Sequence, residues 1–306
     1  MKFLTLLAVL ALRKLPGHRL TQPLDALFAK WQNWLAAKLK TNLGSTQVVL
    51  ASLLPILVSL ALVLWLLEGK WWFLPTLVVH LLVIFYALGR RCDLVWLTKY
   101  LAARKNQDLE AASHYAENIL TSKLTGLNPK EVHAKVLARL IVVAFDRLFL
   151  VTFWYLVFGP LGALLARLVE ELINNANQKQ LENYDSLPDC CSPQLIYLQK
   201  TLRWPAARLM GLTLGLTGRP LLGLLQFSKD LLRFSLPTEE FLNRQLVTGF
   251  GVLTKNQDCT AASFYQRPEA ATLAADEELE KLNERIWRSL GVWIGLAAVA
   301  VILGSL

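Results

Sequence analysis

Residues 138–167 have the sequence ARLIVVAFDRLFLVTFWYLVFGPLGALLAR, which decides the class of fold. About 20 mostly apolar residues are enough for a helix to cross the roughly 30 Å of hydrocarbon in a bilayer. Asp146 and Arg147 form an acid-base pair near one end of this stretch. Near the other end Gly159-Pro160 is expected to kink the helix, because proline removes a backbone donor. We therefore predict a transmembrane helix over residues 138–168 with a polar edge.

The composition supports a membrane protein. Hydrophobic residues make up 54% of the 306 residues and charged residues only 18%, which departs from ordinary soluble proteins. Three further stretches have the length and apolar character of a span: residues 46–67, 71–88 and 286–306. The first two are joined by only three residues, so we predict a tight helical hairpin. Strand patterns are scarce, and we expect an all-α, polytopic membrane protein: a helical bundle with cytoplasmic or peripheral amphipathic helices.

The charge pattern indicates orientation rather than a nucleic-acid partner. The net charge is +9, and lysine and arginine cluster on both sides of the predicted hairpin. The positive-inside rule places both flanks in the cytoplasm. Most aromatic residues lie in or beside the apolar stretches instead of alternating with a basic face, so no nucleic-acid partner is expected.

The chain divides into five predicted regions. Residues 1–90 hold an N-terminal membrane segment, an amphipathic helix and the hairpin, and residues 91–137 a helical cytoplasmic linker. The helix at 138–168 is followed by a polar helical region over 169–285 and a C-terminal span over 286–306. Residues 1–15 either cross obliquely or lie in the interface. The amphipathic helix at 23–40 lies on the membrane or packs on the protein itself.

One segment of the polar region is apolar and rich in glycine. Residues 206–227 include Gly211-x-x-x-Gly215, a spacing that allows close approach of helices in membranes, but also Arg208 and Arg219. The segment either returns through the membrane with its arginines facing protein or lies at the surface. That choice decides on which side of the membrane residues 228–285 lie.

The sequence contains none of the common catalytic motifs. There is no P-loop, no dinucleotide-binding G-x-G-x-x-G, no G-x-S-x-G and no H-E-x-x-H. The four cysteines lack C-x-x-C spacing and the four histidines lie in different segments, so no metal site is expected. His80 lies inside an apolar stretch, as a hydrogen-bonded neutral residue between helices or as part of a proton relay. Asp146 and Arg147 are the strongest functional candidates, because charges inside a span are costly. Alternatively, both lie at the cytoplasmic interface and pair with headgroups or each other.

Three motifs resemble one enzyme family. FWYLVFGPLGALLAR at residues 153–167 is similar to the membrane core of the adenosylcobinamide-phosphate synthases (CobD/CbiB), where Phe-Trp precedes Gly-Pro-x-Gly-Ala-Leu-Leu-Tyr-Arg. QDLEAA at residues 107–112 resembles that family's Asp-Leu-Glu-Ala-Ala/Arg segment. WPAARL at residues 204–209 resembles its Trp-Ile-Pro-Ala-Arg-Leu, and the three matches occur in the family's order.

The departures from the synthases point to a different relative. This chain has Ile141-Val142-Val143 before Asp146, where the synthases carry Ala-Glu-Asn, and Glu170-Glu171-Leu172-Ile173 where they carry Asn-Thr-Leu-Asp. Loss of both polar sets argues against the amide-forming chemistry, because such a site depends on pre-placed polar groups. A chain that keeps the membrane motifs of the synthases but lacks their polar site residues resembles the AmpE family. That resemblance implies a multi-pass protein of the bacterial inner membrane, linked to β-lactamase induction.

The resemblance implies a signalling or sensing role in the response to cell-wall damage, without catalytic activity or a cofactor. We predict a pocket bordered by Asp146, Arg147, Arg167 and Arg208 that binds a small anionic ligand or a membrane protein partner, since arginines hold carboxylates and phosphates through paired donors. Arg167 and Arg208 could instead only anchor helix ends at headgroups. The alternative function is a membrane-bound synthase that forms an amide bond with ATP and magnesium. Its carboxylates would be Asp108, Glu110 and Asp146.

Overall fold

The described part of the chain is built almost entirely of helices. The computed structural model describes residues 2–12, 27–32, 34–35, 45–67, 73–88, 92–106, 108–120, 129–182, 193–217, 220–234, 236–250 and 272–303. All regular secondary structure in these residues is helical, which confirms the prediction of an all-α protein.

Twelve α-helices have defined bounds in this part of the chain, and one π-helical turn joins two of them. In chain order they are α1 (Lys2–Leu12), α2 (Ser45–Leu67), α3 (Phe73–Ala87), α4 (Cys92–Lys105), α5 (Leu109–Leu120), α6 (Pro129–Ala144), the π-turn (Phe145–Phe149), α7 (Leu150–Phe158), α8 (Pro160–Glu182), α9 (Pro193–Thr217), α10 (Pro220–Asp230), α11 (Thr238–Phe250) and α12 (Thr272–Ile302). Residues 27–32 and 34–35 are also helical.

Three helical stretches of the described residues are long and apolar enough to cross a membrane: Val49–Leu67, Lys135–Phe158 and Lys281–Ile302. They correspond to three of the four predicted spans. The fourth prediction, over residues 71–88, corresponds to the shorter apolar helix Leu74–Ala87. At 1.5 Å per residue its 14 residues extend for only about 21 Å, less than the hydrocarbon thickness. Residues 68–72, which precede α3, lie outside the described part.

The predicted single helix over residues 138–167 is interrupted, and we correct that prediction. Gly159 has φ of 68°, a conformation that glycine adopts without steric cost and that ends α7. Pro160 then begins α8, where the missing N–H of proline is tolerated. A Cβ on Gly162 would overlap the backbone oxygen of Trp154, eight residues earlier in the chain. The chain therefore turns sharply instead of kinking, and the apolar helix ends at Phe158.

Two compact units divide the chain, and each is built from separate stretches. The first comprises Met1–Arg90, Leu150–Arg203 and Leu296–Leu306. Its core contains Phe28 together with residues of α2, α8 and α9: Leu53, Leu164, Leu168, Val169, Leu195 and Leu202. Burial of Phe28 and Leu35 shows that the helical residues 27–35 pack on the protein itself, while Leu27 and Trp34 stay exposed. In α1, Leu6 and Val9 are buried and the helix packs against α3 and α7.

The second unit comprises Arg91–Phe149 and Trp204–Gly295. Helix α5 packs against α4 and α6, and α11 packs against α6 and α10. In the part of α12 that belongs to this unit, the buried positions Leu282, Ile286, Leu290 and Trp293 recur at helical spacing and form one face. The edge of the Phe149 ring meets the Trp293 ring at 5.2 Å between centroids. The π-turn and the C-terminal helix therefore pack directly on each other.

Candidate functional site

Asp146 and Arg147 lie in the π-turn, where the helix is wound more loosely than on either side. A π-turn inserts one residue into an α-helix and is frequent at functional sites. Phe145 and Phe149 at its ends are fully buried, whereas Asp146 and Arg147 are half-buried. The packing of the two phenylalanines thus fixes the turn that presents the charged pair.

The pair lies close to the middle of the candidate span Lys135–Phe158. The sequence predicts it near one end of a helix over residues 138–168. The apolar helix begins earlier than predicted, within a helix that starts at Pro129, and it ends earlier because Gly159 interrupts it. Ionisable residues inside an apolar span are rare and commonly mark functional sites.

Asp108 and Glu110 lie at the start of α5. The Oδ1 atom of Asp108 accepts a hydrogen bond of 3.0 Å from the backbone N–H of Ala111, so Asp108 caps the helix. Glu110 is exposed in the first turn of α5, where a carboxylate is favoured by the helix dipole. Both residues belong to the second unit, as do Asp146 and Arg147.

Arg167 belongs to the first unit and forms a buried ion pair with Glu171 one turn later on α8. Its neighbour Glu170 lies 3.6 Å from the Nε of Arg203 and accepts a hydrogen bond of 3.3 Å from Gln199. Glu170 and Glu171, at which this chain departs from the synthase pattern, therefore form pairs in this region. Glu171 pairs within α8, and Glu170 connects α8 to α9.

Arg208, on α9 in the second unit, makes contacts within the protein. Its Nε donates to the backbone oxygen of Leu231 at 3.1 Å, and its Nη2 donates to that of Arg233 at 2.9 Å. The guanidinium carbon lies 3.9 Å from the centre of the Phe241 ring, and only 5% of the residue is exposed. These contacts join α9 to the turn after α10 and to α11.

Of the six predicted site residues, the structure places Asp108, Glu110, Asp146, Arg147 and Arg208 in the second unit and Arg167 in the first. Asp146 and Arg147 are adjacent, and Asp108 and Glu110 share one helix start. Within the residues that the structure describes, no group of three or more His, Cys, Asp or Glu side chains could hold a metal ion.

A buried carboxylate in the second unit was not predicted. Asp230 is fully buried at the end of α10, and its Oδ2 accepts a hydrogen bond of 2.6 Å from the Nε2 of Gln226. Its Oδ1 lies 3.4 Å from Arg233 and 3.7 Å from Arg244. A clue was available in the sequence, because Asp230 lies shortly after an apolar segment and three residues before Arg233, but Arg244 lies on α11 and only the fold brings it to Asp230.

The first unit contains a polar network of Thr5, His80 and Tyr155, of which only His80 was singled out in the sequence. The hydroxyl of the fully buried Tyr155 is hydrogen-bonded to the Oγ1 of Thr5 and lies 3.0 Å from the Nδ1 of His80. These contacts link α1, α3 and α7. They agree with the interpretation of His80 as a hydrogen-bonded residue between helices.

Comparison with known proteins gives one match. A family described as "Regulatory signalling modulator protein AmpE" matches residues 1–225, which is more than half of the 306-residue chain. The matched range includes the π-turn, Arg167 and Arg208, and it ends inside α10. No curated protein and no solved structure matches the chain.

Proposed function

The chain belongs to the AmpE family, and from that premise we propose that it is a multi-pass inner-membrane signalling protein without catalytic activity, acting in the response to cell-wall damage that induces β-lactamase. The family's description as a signalling modulator supports a regulatory role. Three apolar helices of spanning length support the membrane setting. The three motifs that resemble the cobinamide-phosphate synthases support a common scaffold with that family.

Asp146 and Arg147 are the residues that we propose carry the signal. The observation behind this proposal is their place in a π-turn in the middle of a candidate span. A charged pair inside a span is costly to insert, by about 2.5–3.5 kcal/mol for one such residue on insertion scales, and π-turns are frequent at functional sites. We propose that a small anionic ligand or a membrane protein partner binds at Arg147.

Arg167 and Arg208 have a supporting part in this proposal. Arg167 is paired with Glu171, and two donors of Arg208 are taken by backbone oxygens. We therefore propose that these two arginines hold helices in position rather than contact the ligand.

An induction assay tests the proposal. Cells whose only copy of the gene is the variant would be challenged with a β-lactam, and the ratio of induced to uninduced β-lactamase activity would be measured. We expect Arg147→Gln and Asp146→Asn to change that ratio at least about fivefold, the low end of typical coupling between sites. Arg139→Gln is the matched control, because Arg139 is an exposed residue of the same helix outside the π-turn.

Equal protein levels in the membrane fraction must accompany the comparison. If both substitutions in the π-turn leave the ratio as Arg139→Gln does, the proposed role of the pair is wrong. The alternative function, an ATP- and magnesium-dependent synthase, makes a different prediction. Tight binding of magnesium nucleotide to the purified protein, abolished by Asp146→Asn, would favour that enzyme and contradict a non-catalytic role.

A further inference from the structure

We infer that residues 209–217 and 220–225 are the two arms of a hairpin whose leucine-rich face lies in the hydrocarbon of the bilayer, beside the C-terminal candidate span. The arms are the end of α9 and the beginning of α10. They approach closely at two glycines, since a Cβ on Gly223 would lie 2.6 Å from the Cα of Gly215. Such contact between small residues is typical of helices packed in membranes. Arg219 lies outside the described residues.

Contacts with α12 indicate the depth of the hairpin. The Nε1 of Trp293 donates to the Oγ1 of Thr213 at 3.3 Å, and the hydroxyls of Thr217 and Ser289 are 3.3 Å apart. Trp293 lies near the middle of the apolar stretch Lys281–Ile302. Because Thr217 follows Thr213 while Ser289 precedes Trp293, the arm of α9 runs antiparallel to α12 at the level of its apolar stretch. If Lys281–Ile302 crosses the membrane, the hairpin beside its middle lies at the same depth in the hydrocarbon.

The outer face of the hairpin is suited to lipid. Five leucines are exposed, Leu221 to 74%: Leu209, Leu216, Leu221, Leu224 and Leu225. The described residues 209–217 and 220–228 include no Asp, Glu, Lys or Arg. An exposed apolar face of this kind marks a protein or membrane contact in a native protein. Its continuity with the side of a candidate span makes hydrocarbon the partner that fits.

The charge at the base of the hairpin is satisfied inside the protein. Arg208, directly before the apolar segment, donates to the backbone oxygens of Leu231 and Arg233 and stacks on Phe241. Arginines within a membrane require partners of this kind, because an unpaired charge in lipid is costly. Arg208 therefore has hydrogen-bond partners within the protein where the apolar hairpin begins. This inference rests on the membrane setting in the proposed function but not on the roles of Asp146 and Arg147, so failure of the induction assay would leave it unaffected.

Nitroxide depth measurements on the full-length protein in lipid nanodiscs test the inference. The four native cysteines would be replaced by serine, and single labels attached through Leu216→Cys or Leu225→Cys. Collision of each label with oxygen, which concentrates in hydrocarbon, is compared with collision with a water-soluble nickel chelate. Reference labels are placed at Leu296, an exposed leucine of the C-terminal apolar stretch, and at Lys99, exposed on α4.

We expect both hairpin labels to give the oxygen-to-nickel ratio of the Leu296 label, well above that at Lys99. All four positions are exposed, so the labels do not disturb the core, and each variant must collect in the membrane fraction. A ratio at either leucine equal to that at Lys99 would place the hairpin in water. An intermediate ratio would place it flat on the membrane surface. Either result would overturn the inference.

Discussion

Replacing Gly223 by alanine tests the close contact between α9 and α10 most sharply. The new Cβ would lie 2.6 Å from the Cα, 2.9 Å from the oxygen and 3.0 Å from the carbonyl carbon of Gly215. Ordinary contacts between carbon atoms are about 3.5–4.0 Å, so the two backbones must separate by about 1 Å. Backbone cannot rotate out of the way as a side chain can. Overpacking of this kind costs about 1–3 kcal/mol.

Gly291→Ala in α12 provides a matched control, because a Cβ there meets nothing within 4 Å. Both substitutions gain the same helix preference of alanine over glycine, about 0.5–1 kcal/mol, so their difference isolates the steric clash. At about 2–4 °C for each kcal/mol, Gly223→Ala should melt about 2–12 °C below Gly291→Ala. Tryptophan fluorescence during heating in detergent measures both midpoints. Equal midpoints would show that α9 and α10 do not meet at these glycines and would refute the packing argument.

Two further substitutions test the buried polar networks by the same thermal measurement. Tyr155→Phe removes the hydroxyl between α1, α3 and α7 and should cost about 0.6 kcal/mol, the average for hydrogen bonds between membrane helices, and at most about 1.7 kcal/mol, whereas Tyr197→Phe at an exposed position should be neutral. Equal midpoints for the two tyrosine variants would argue against that network. Asp230→Asn removes the buried charge that accepts from Gln226 and faces Arg244, and it should cost about 1.5–3 kcal/mol, the range for hydrogen bonds to charged groups, while Glu284→Gln breaks an exposed pair worth at most about 1 kcal/mol. An effect of Asp230→Asn no larger than that of Glu284→Gln would contradict the placement of Asp230.

The sequence predicts local features of this fold well. Hydropathy alone located the stretches that became α2, α12 and the helix through the π-turn, because a span is a property of consecutive residues. Gly159-Pro160 was recognised as a point of disruption. The sharp turn there was not, because it depends on the contact between Gly162 and the backbone of Trp154. Of the two glycines singled out in the sequence, Gly215 lies against the backbone of Gly223, whereas Gly211 lies against the ring of Phe241.

The candidate site was only partly visible in the sequence. Asp146 and Arg147 were identified from their cost in an apolar helix, but the bounds of that helix differ from the predicted ones, which changes the position of the pair along it. The π-turn itself left no sequence signal, since the packing of Phe145 and Phe149 determines it. The partners of Arg208 lie 23 and 25 residues further along the chain, at Leu231 and Arg233, and only the tertiary fold brings them together.

Extraction of membranes with alkaline carbonate tests the central claim, that apolar helices embed this chain in a bilayer. This treatment strips proteins held at the surface by charge but leaves proteins whose apolar helices cross the hydrocarbon, because burial of those helices does not depend on pH. We predict that the full-length protein stays in the membrane pellet and is released only by detergent. Recovery of the protein in the carbonate supernatant would contradict the account.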